Sequence, residues 1–170
     1  IYRELARVAE QQGDEPERAR ALLEKALELD PSDPQAGDAL ADRLEAAGRW
    51  DDLLELLNRR IVATDAPAQV EALLRRKADL LDQRLGDEVG ALGALRELLR
   101  LKPQDAPALL RAGLLAARHG QEDALALLGR AVEAGTGDIR ANASLAEAKI
   151  RRGAGDAPEG EAWVVSGGGA

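Results

Sequence analysis

Four glycines, Gly13, Gly48, Gly86 and Gly120, follow one another at steps of 35, 38 and 34 residues. After three of them comes the same helical stripe. It reads Ala19, Leu23, Ala26 and Pro31, then Ala91, Leu95, Leu98 and Pro103, then Ala124, Leu128 and Ala131. Gly48, in Ala-Gly-Arg-Trp-Asp-Asp-Leu, fills the gap between the first two stripes. A supersecondary unit of this length cannot bury its apolar face alone, so neighbouring copies stack into a solenoid, and solenoids mostly bind other proteins. The residue supply agrees. Hydrophobic residues make up 45% of the chain but aromatic residues only 2%, with no Phe. Ala and Leu must therefore do the packing, which suits closely packed helices. A sheet would draw on far more β-branched and aromatic residues. The expected fold is all-α.

Charge narrows the partners. The net charge is −8 and the pI about 4.8, the wrong sign for a face that neutralises phosphates or docks on anionic lipid. No nucleic-acid partner is expected. No apolar run reaches the roughly 20 residues of a membrane span, so no membrane insertion is expected either. With no Cys there is no disulfide framework, zinc ribbon or iron–sulfur site. The chain opens at Ile1 and contains no Met, which reads as a piece of a longer protein. A signal peptide therefore stays open, with the cytoplasm the favoured compartment. The Ala-, Leu-, Arg- and Gly-rich usage looks bacterial.

Punctuation divides the chain into helices. Tyr2, Leu5, Ala6 and Ala9 share one face of a first helix ended by Gly13-Asp14. A second opens at Glu15-Pro16-Glu17 and carries Ala19, Leu22, Leu23, Ala26, Leu27 and Leu29. Ser32-Asp33-Pro34 is a cap-plus-proline start for a third, with Ala36, Leu40 and Leu44 inward. Further helices are expected at about 50–63, 67–85, 86–101, 105–119 and 121–134, and another from near 138. Beyond Arg152 lie a Gly-rich turn and a flexible Ser-Gly-Gly-Gly-Ala end. Between them, 158–165 is expected to form a short, imperfect capping helix, with Trp163 and Val164 covering the end of the stack; the alternative is a flexible tail leading to a further domain.

These residues resemble the tetratricopeptide repeat, a helix–turn–helix unit of about 34 residues. The first unit matches through Tyr2, Leu5, Ala6, Gly13, Ala19, Leu23, Ala26 and Pro31, and the second through Leu40, Ala41, Leu44, Gly48 and Trp50. The third matches through Ala78, Gly86, Ala91, Leu95 and Pro103. The fourth matches through Ala112, Gly113, Gly120, Ala124, Leu128 and Ala131. The resemblance implies a right-handed α-solenoid of antiparallel helix pairs. Its units are 1–33, 34–66, 67–104 and 105–137, with a half repeat at 138–152. Departures are visible too. Leu53 and Arg60 occupy small-residue positions of the second unit, so that helix must stand off or tilt. Thr136 stands where the fourth unit would close with proline.

Chemistry-bearing constellations do not emerge. His119 is the single histidine, lies just before Gly120 and suits the negative end of a helix. No nucleophile motif or phosphate-cradling loop accompanies it. Asp51-Asp52 and Glu122-Asp123 open helices, and Asp79 with Asp82 reads as a solvated face rather than a metal site. No enzyme activity, cofactor or metal is expected. The resemblance instead places the first helix of each pair along a concave groove. Ligand-facing positions then fall at Arg3, Arg7, Asp38, Asp42, Glu45, Arg75, Asp79, Leu110, Leu114 and Arg118. Asp38 and Asp42 oppose the capture of a C-terminal carboxylate seen in some family members. They suit a peptide or helix that is basic near Asp38 to Glu45 and has an apolar anchor near Leu110 and Leu114. The alternative is a structural segment of a longer array that self-associates or serves assembly.

Overall fold

The computed structural model describes Tyr2, Glu4 and residues 16–153, and among these there are eight long helices and no strand. They are α1 (Pro16–Leu29), α2 (Pro34–Ala46), α3 (Trp50–Ala63), α4 (Pro67–Gln83), α5 (Glu88–Leu101), α6 (Ala106–Arg118), α7 (Ala124–Ala134) and α8 (Gly137–Arg152). The segment 158–165 lies outside the described residues. Local chemistry explains where several helices start. The Asp33 carboxylate accepts from the Gln35 and Ala36 amides at 2.9 and 3.2 Å, Asp87 from Gly90 at 2.8 Å, and Asp105 from Ala108 at 3.0 Å. Proline then stands in the first turn of α2, α4 and α6, where its missing N–H has no intrahelical partner to lose. After α2, α4 and α6 the chain turns through Gly48, Gly86 and Gly120 at φ of 67°, 67° and 63°. That left-handed conformation is strained for any residue with a Cβ.

Short connections fold each helix back on its predecessor, and each packs on the next, with α8 also reaching α6. The result is an all-α solenoid. Its core falls into two clusters that meet inside α4. Leu73 and Leu80 belong with Leu23, Leu27, Leu40, Leu44, Leu53 and Leu57 on one side. Leu74, Ala78 and Leu81 belong with the buried faces of α5 to α8 on the other. Leu54, Ile61 and Leu85 pack against both. One expected core residue is misplaced: Leu29 is 73% exposed. At about 100° per residue it falls more than a quarter-turn from the axis of Ala19, Leu23, Ala26 and Leu27, all of which are buried.

The second pair does depart from the first and fourth at the small-residue positions. Ala26, Leu98 and Ala131 hold the inner stripe position of their helices, and α3 has Arg60 there, buried like them. Arg60 fits because Gly37 faces it from α2; a Cβ on Gly37 would collide with the guanidinium. Nη1 donates to Asp38 Oδ1 at 2.7 Å and Nη2 to the Pro34 carbonyl at 3.4 Å. In the fourth pair the close approach is apolar. Gly113 of α6 sits against Leu128 of α7, whose Cγ would lie only 2.8 Å from an added Cβ.

Candidate protein-interaction face

The first helices α2, α4 and α6 are joined side by side by arginines one repeat apart. Arg76 of α4 reaches back to α2, where Nη2 donates to Asp42 Oδ1 at 2.9 Å and Glu45 Oε2 at 2.7 Å. Arg111 of α6 does the same to α4, bonding Asp79 through Nη1 and Asp82 Oδ2 at 3.1 Å through Nη2. Both arginines span to two acids three residues apart, which on a helix share a face. Burial by itself would lower the pKa of Arg76. The hydrogen bonds and charges of Asp42 and Glu45 outweigh it and raise the pKa above the ordinary arginine value. The Arg76 guanidinium therefore stays charged at neutral pH.

Further charges close on each other in the same way. Arg75 pairs with Asp105 at the start of α6, and Arg118 pairs with Glu88 at the start of α5. Glu88 also meets His119 Nε2 at 2.8 Å. On the second-helix side, Arg96 forks onto both oxygens of Asp123 at 2.7 and 2.8 Å, tying α5 to the start of α7. Lys102 bonds Glu71 at 2.9 Å. At the α2–α3 turn, Arg84 lies over the Trp50 ring, 5.1 Å from its centroid, a cation–π contact that fixes the end of α4.

The sequence-derived groove residues are therefore placed as follows. Asp38 holds Arg60, Asp42 and Glu45 share Arg76, Asp79 holds Arg111, Arg75 holds Asp105 and Arg118 holds Glu88. Leu110 is buried, and Leu114 is half-buried against the C-terminal cluster. Arg3 and Arg7 lie outside the described residues. Sequence reasoning missed the partners Arg60, Arg76 and Arg111. The signal for two of them was present, since Arg76 follows Asp42 by 34 residues and Arg111 follows Asp79 by 32. Among the described residues, no group of three His, Cys, Asp or Glu could hold a metal ion. No described helix is long and apolar enough to cross a membrane.

A stack of antiparallel helix pairs with glycine turns and side-by-side first helices defines a class, the helix-pair α-solenoids. Solved structures place it more closely. YrrB, a TPR protein with an unusual peptide-binding site, superposes with a TM-score of 0.59 at 24% identity, over 88% of this chain and 76% of its own. MamA superposes with a TM-score of 0.56 at 18% identity, over 89% of this chain and 95% of its own. The fold is that of the tetratricopeptide-repeat proteins. No family model matches the sequence, and no curated protein does.

Proposed function

We propose that the chain is a non-enzymatic scaffold that binds a peptide or helix of a partner protein along the concave face formed by α2, α4, α6 and α8. The observation that carries this is the continuity of the first-helix face, where Arg76 and Arg111 hold adjacent repeats in register. The shared fold with YrrB, itself a peptide-binding TPR protein, supports it. The internal pairing changes how each end of the groove contributes. Asp42, Glu45 and Asp79 are already compensated, so a basic partner must compete with Arg76 and Arg111 and gains little net charge stabilisation there. The rung ends at α6, where Leu114 and Ala117 take the places of the paired acids. An apolar anchor on half-buried Leu114 is therefore the main source of affinity.

A pull-down with the whole chain against a Leu114→Glu variant of equal helicity tests this. A protein partner recovered by the wild type and lost by the variant supports groove binding; equal recovery contradicts it. A second reading, assembly with further repeats or with itself, draws on Leu145. This residue is 48% exposed on α8, away from the buried Ala143 and Ala146. A mass that rises with concentration in light scattering, and falls back in Leu145→Glu, would favour it.

A further inference from the structure

Along the first-helix face the acids take their counter-charge from the next repeat, with one exception. Asp42 and Glu45 bond Arg76, and Asp79 and Asp82 bond Arg111. At the step of 34 residues that carries Asp42 to Arg76, Asp38 falls level with Ala72, an exposed residue with no charge to offer. The charged neighbours of Ala72 are committed elsewhere, Glu71 to Lys102 and Arg75 to Asp105. Lys77 falls level with Arg43 at the same step, more than a helical turn beyond Asp38. The next repeat therefore cannot neutralise Asp38.

The counter-charge comes from behind instead, from Arg60 on the second helix α3. Pro34, Gly37 and Asp38 share one face of α2 at helical spacing, and the guanidinium crosses that face where Gly37 leaves room. Glu28, which lines the same cavity as Arg60, bonds Lys25 at 2.6 Å and leaves Arg60 to Asp38. The exposures of the pair are very unequal. The Arg60 side chain is 8% exposed and the Asp38 side chain 62%. A partner lying on α2 thus touches the carboxylate but feels the charge of both groups. Packing alone does not call for a cation here, since Ala26 and Ala131 fill the same position in other repeats. Desolvation of the guanidinium also offsets most of what the pair contributes to stability.

We propose that Arg60 is a specificity-determining residue of the first-helix groove. From the second helix it cancels the charge of Asp38, so the N-terminal end of the groove does not select basic segments of a partner. The inference rests on the groove reading given above. Without the guanidinium, an exposed carboxylate is left uncompensated, and this end of the groove turns toward peptides bearing Lys or Arg. Without the carboxylate, the residual charge is positive and the preference turns toward Asp and Glu.

The test uses a random peptide library displayed on phage, selected in parallel on the full 170-residue chain, on Arg60→Met and on Asp38→Asn. Circular dichroism and denaturation midpoints verify that each variant folds. Clones from Arg60→Met should be richer in Lys and Arg than clones from the wild type. They should bind Arg60→Met about threefold or more tighter than the wild type at low salt, with the advantage shrinking as salt is raised. The advantage should vanish in the double variant Arg60→Met/Asp38→Asn. Selection on Asp38→Asn should shift in the opposite direction, so either single variant decides the question if the other fails to fold. The same peptide composition from all three forms, or an advantage that survives without Asp38, would overturn the proposal. Clones lost in Leu114→Glu but indifferent to Arg60 would sink this inference and leave the groove reading standing. Clones that follow Arg60 and Asp38 but ignore Leu114 would support the charge control and remove the apolar anchor. No enrichment on any form over an unrelated helical protein would contradict both.

Discussion

Two glycines let helices of this solenoid approach closely, and what fills the gap differs. At Gly113 the filler is Leu128, fully buried in the C-terminal cluster. At Gly37 it is the guanidinium of Arg60, buried but tied to Asp38, whose side chain is 62% exposed. The apolar contact stabilises by removing area from water and by dispersion, and loses little on assembly. The ionic contact must first recover the desolvation cost of the arginine, so its net contribution is small. The N-terminal half is therefore the softer one. Its helices α2 and α3 share less contact than α4 with α5 or α6 with α7. The tighter repeats carry Leu114, and the looser ones carry Arg60.

The difference can be broken most forcefully from the apolar side. Leu128→Ala should cost about 2–5 kcal/mol by leaving a cavity under Gly113, seen as a lower denaturation midpoint. Next, Gly113→Val should overpack the same contact by about 1–3 kcal/mol, because Leu128 and its backbone amide both crowd an added Cβ. In the polar pair the effects are no larger and asymmetric. Asp38→Ala strands a buried guanidinium and should cost about 1–3 kcal/mol. Arg60→Met removes the charge with the packing largely kept, and should be close to neutral. Equal losses for those two in chemical denaturation would mean that the pair contributes as a strong salt bridge. Smallest of all is the Arg76 rung, since Asp42 is 73% exposed. Arg76→Ala should cost about 0.2–1 kcal/mol. The sign of its pH dependence follows from a raised folded-state pKa. The contribution is fully present below the ordinary arginine value and lost only as pH rises through the raised one. Stability differences between wild type and Arg76→Ala should therefore be the same at about pH 7 and pH 10.

Much of this was legible in the sequence, for a physical reason. Helix ends are set by local chemistry, so Asp33-Pro34, Asp105 and the turn glycines could be read directly. The anomaly at Arg60 was legible as a position, since a long residue stands where Ala26 and Ala131 stand in other repeats. Its solution was not. Gly37 lies on another helix, 23 residues away, and only packing shows that the guanidinium crosses it. The groove charges failed in the same way. Asp42, Glu45 and Asp79 look available on their own helices, and their partners come from the next repeat. Which acid meets which arginine depends on the rise and rotation between units, which a periodicity does not encode. Leu29 shows the limit of a stripe, because a quarter-turn separates core from solvent.

Native-state hydrogen exchange on the whole chain tests the central contrast most directly, because it reports local opening helix by helix. The account predicts that amides of α2 and α3 exchange through lower-energy openings than those of α5, α6 and α7, and that Asp38→Ala widens the gap while Arg60→Met leaves it unchanged. Equal protection in the two halves, or slower exchange in α2 and α3, would contradict it.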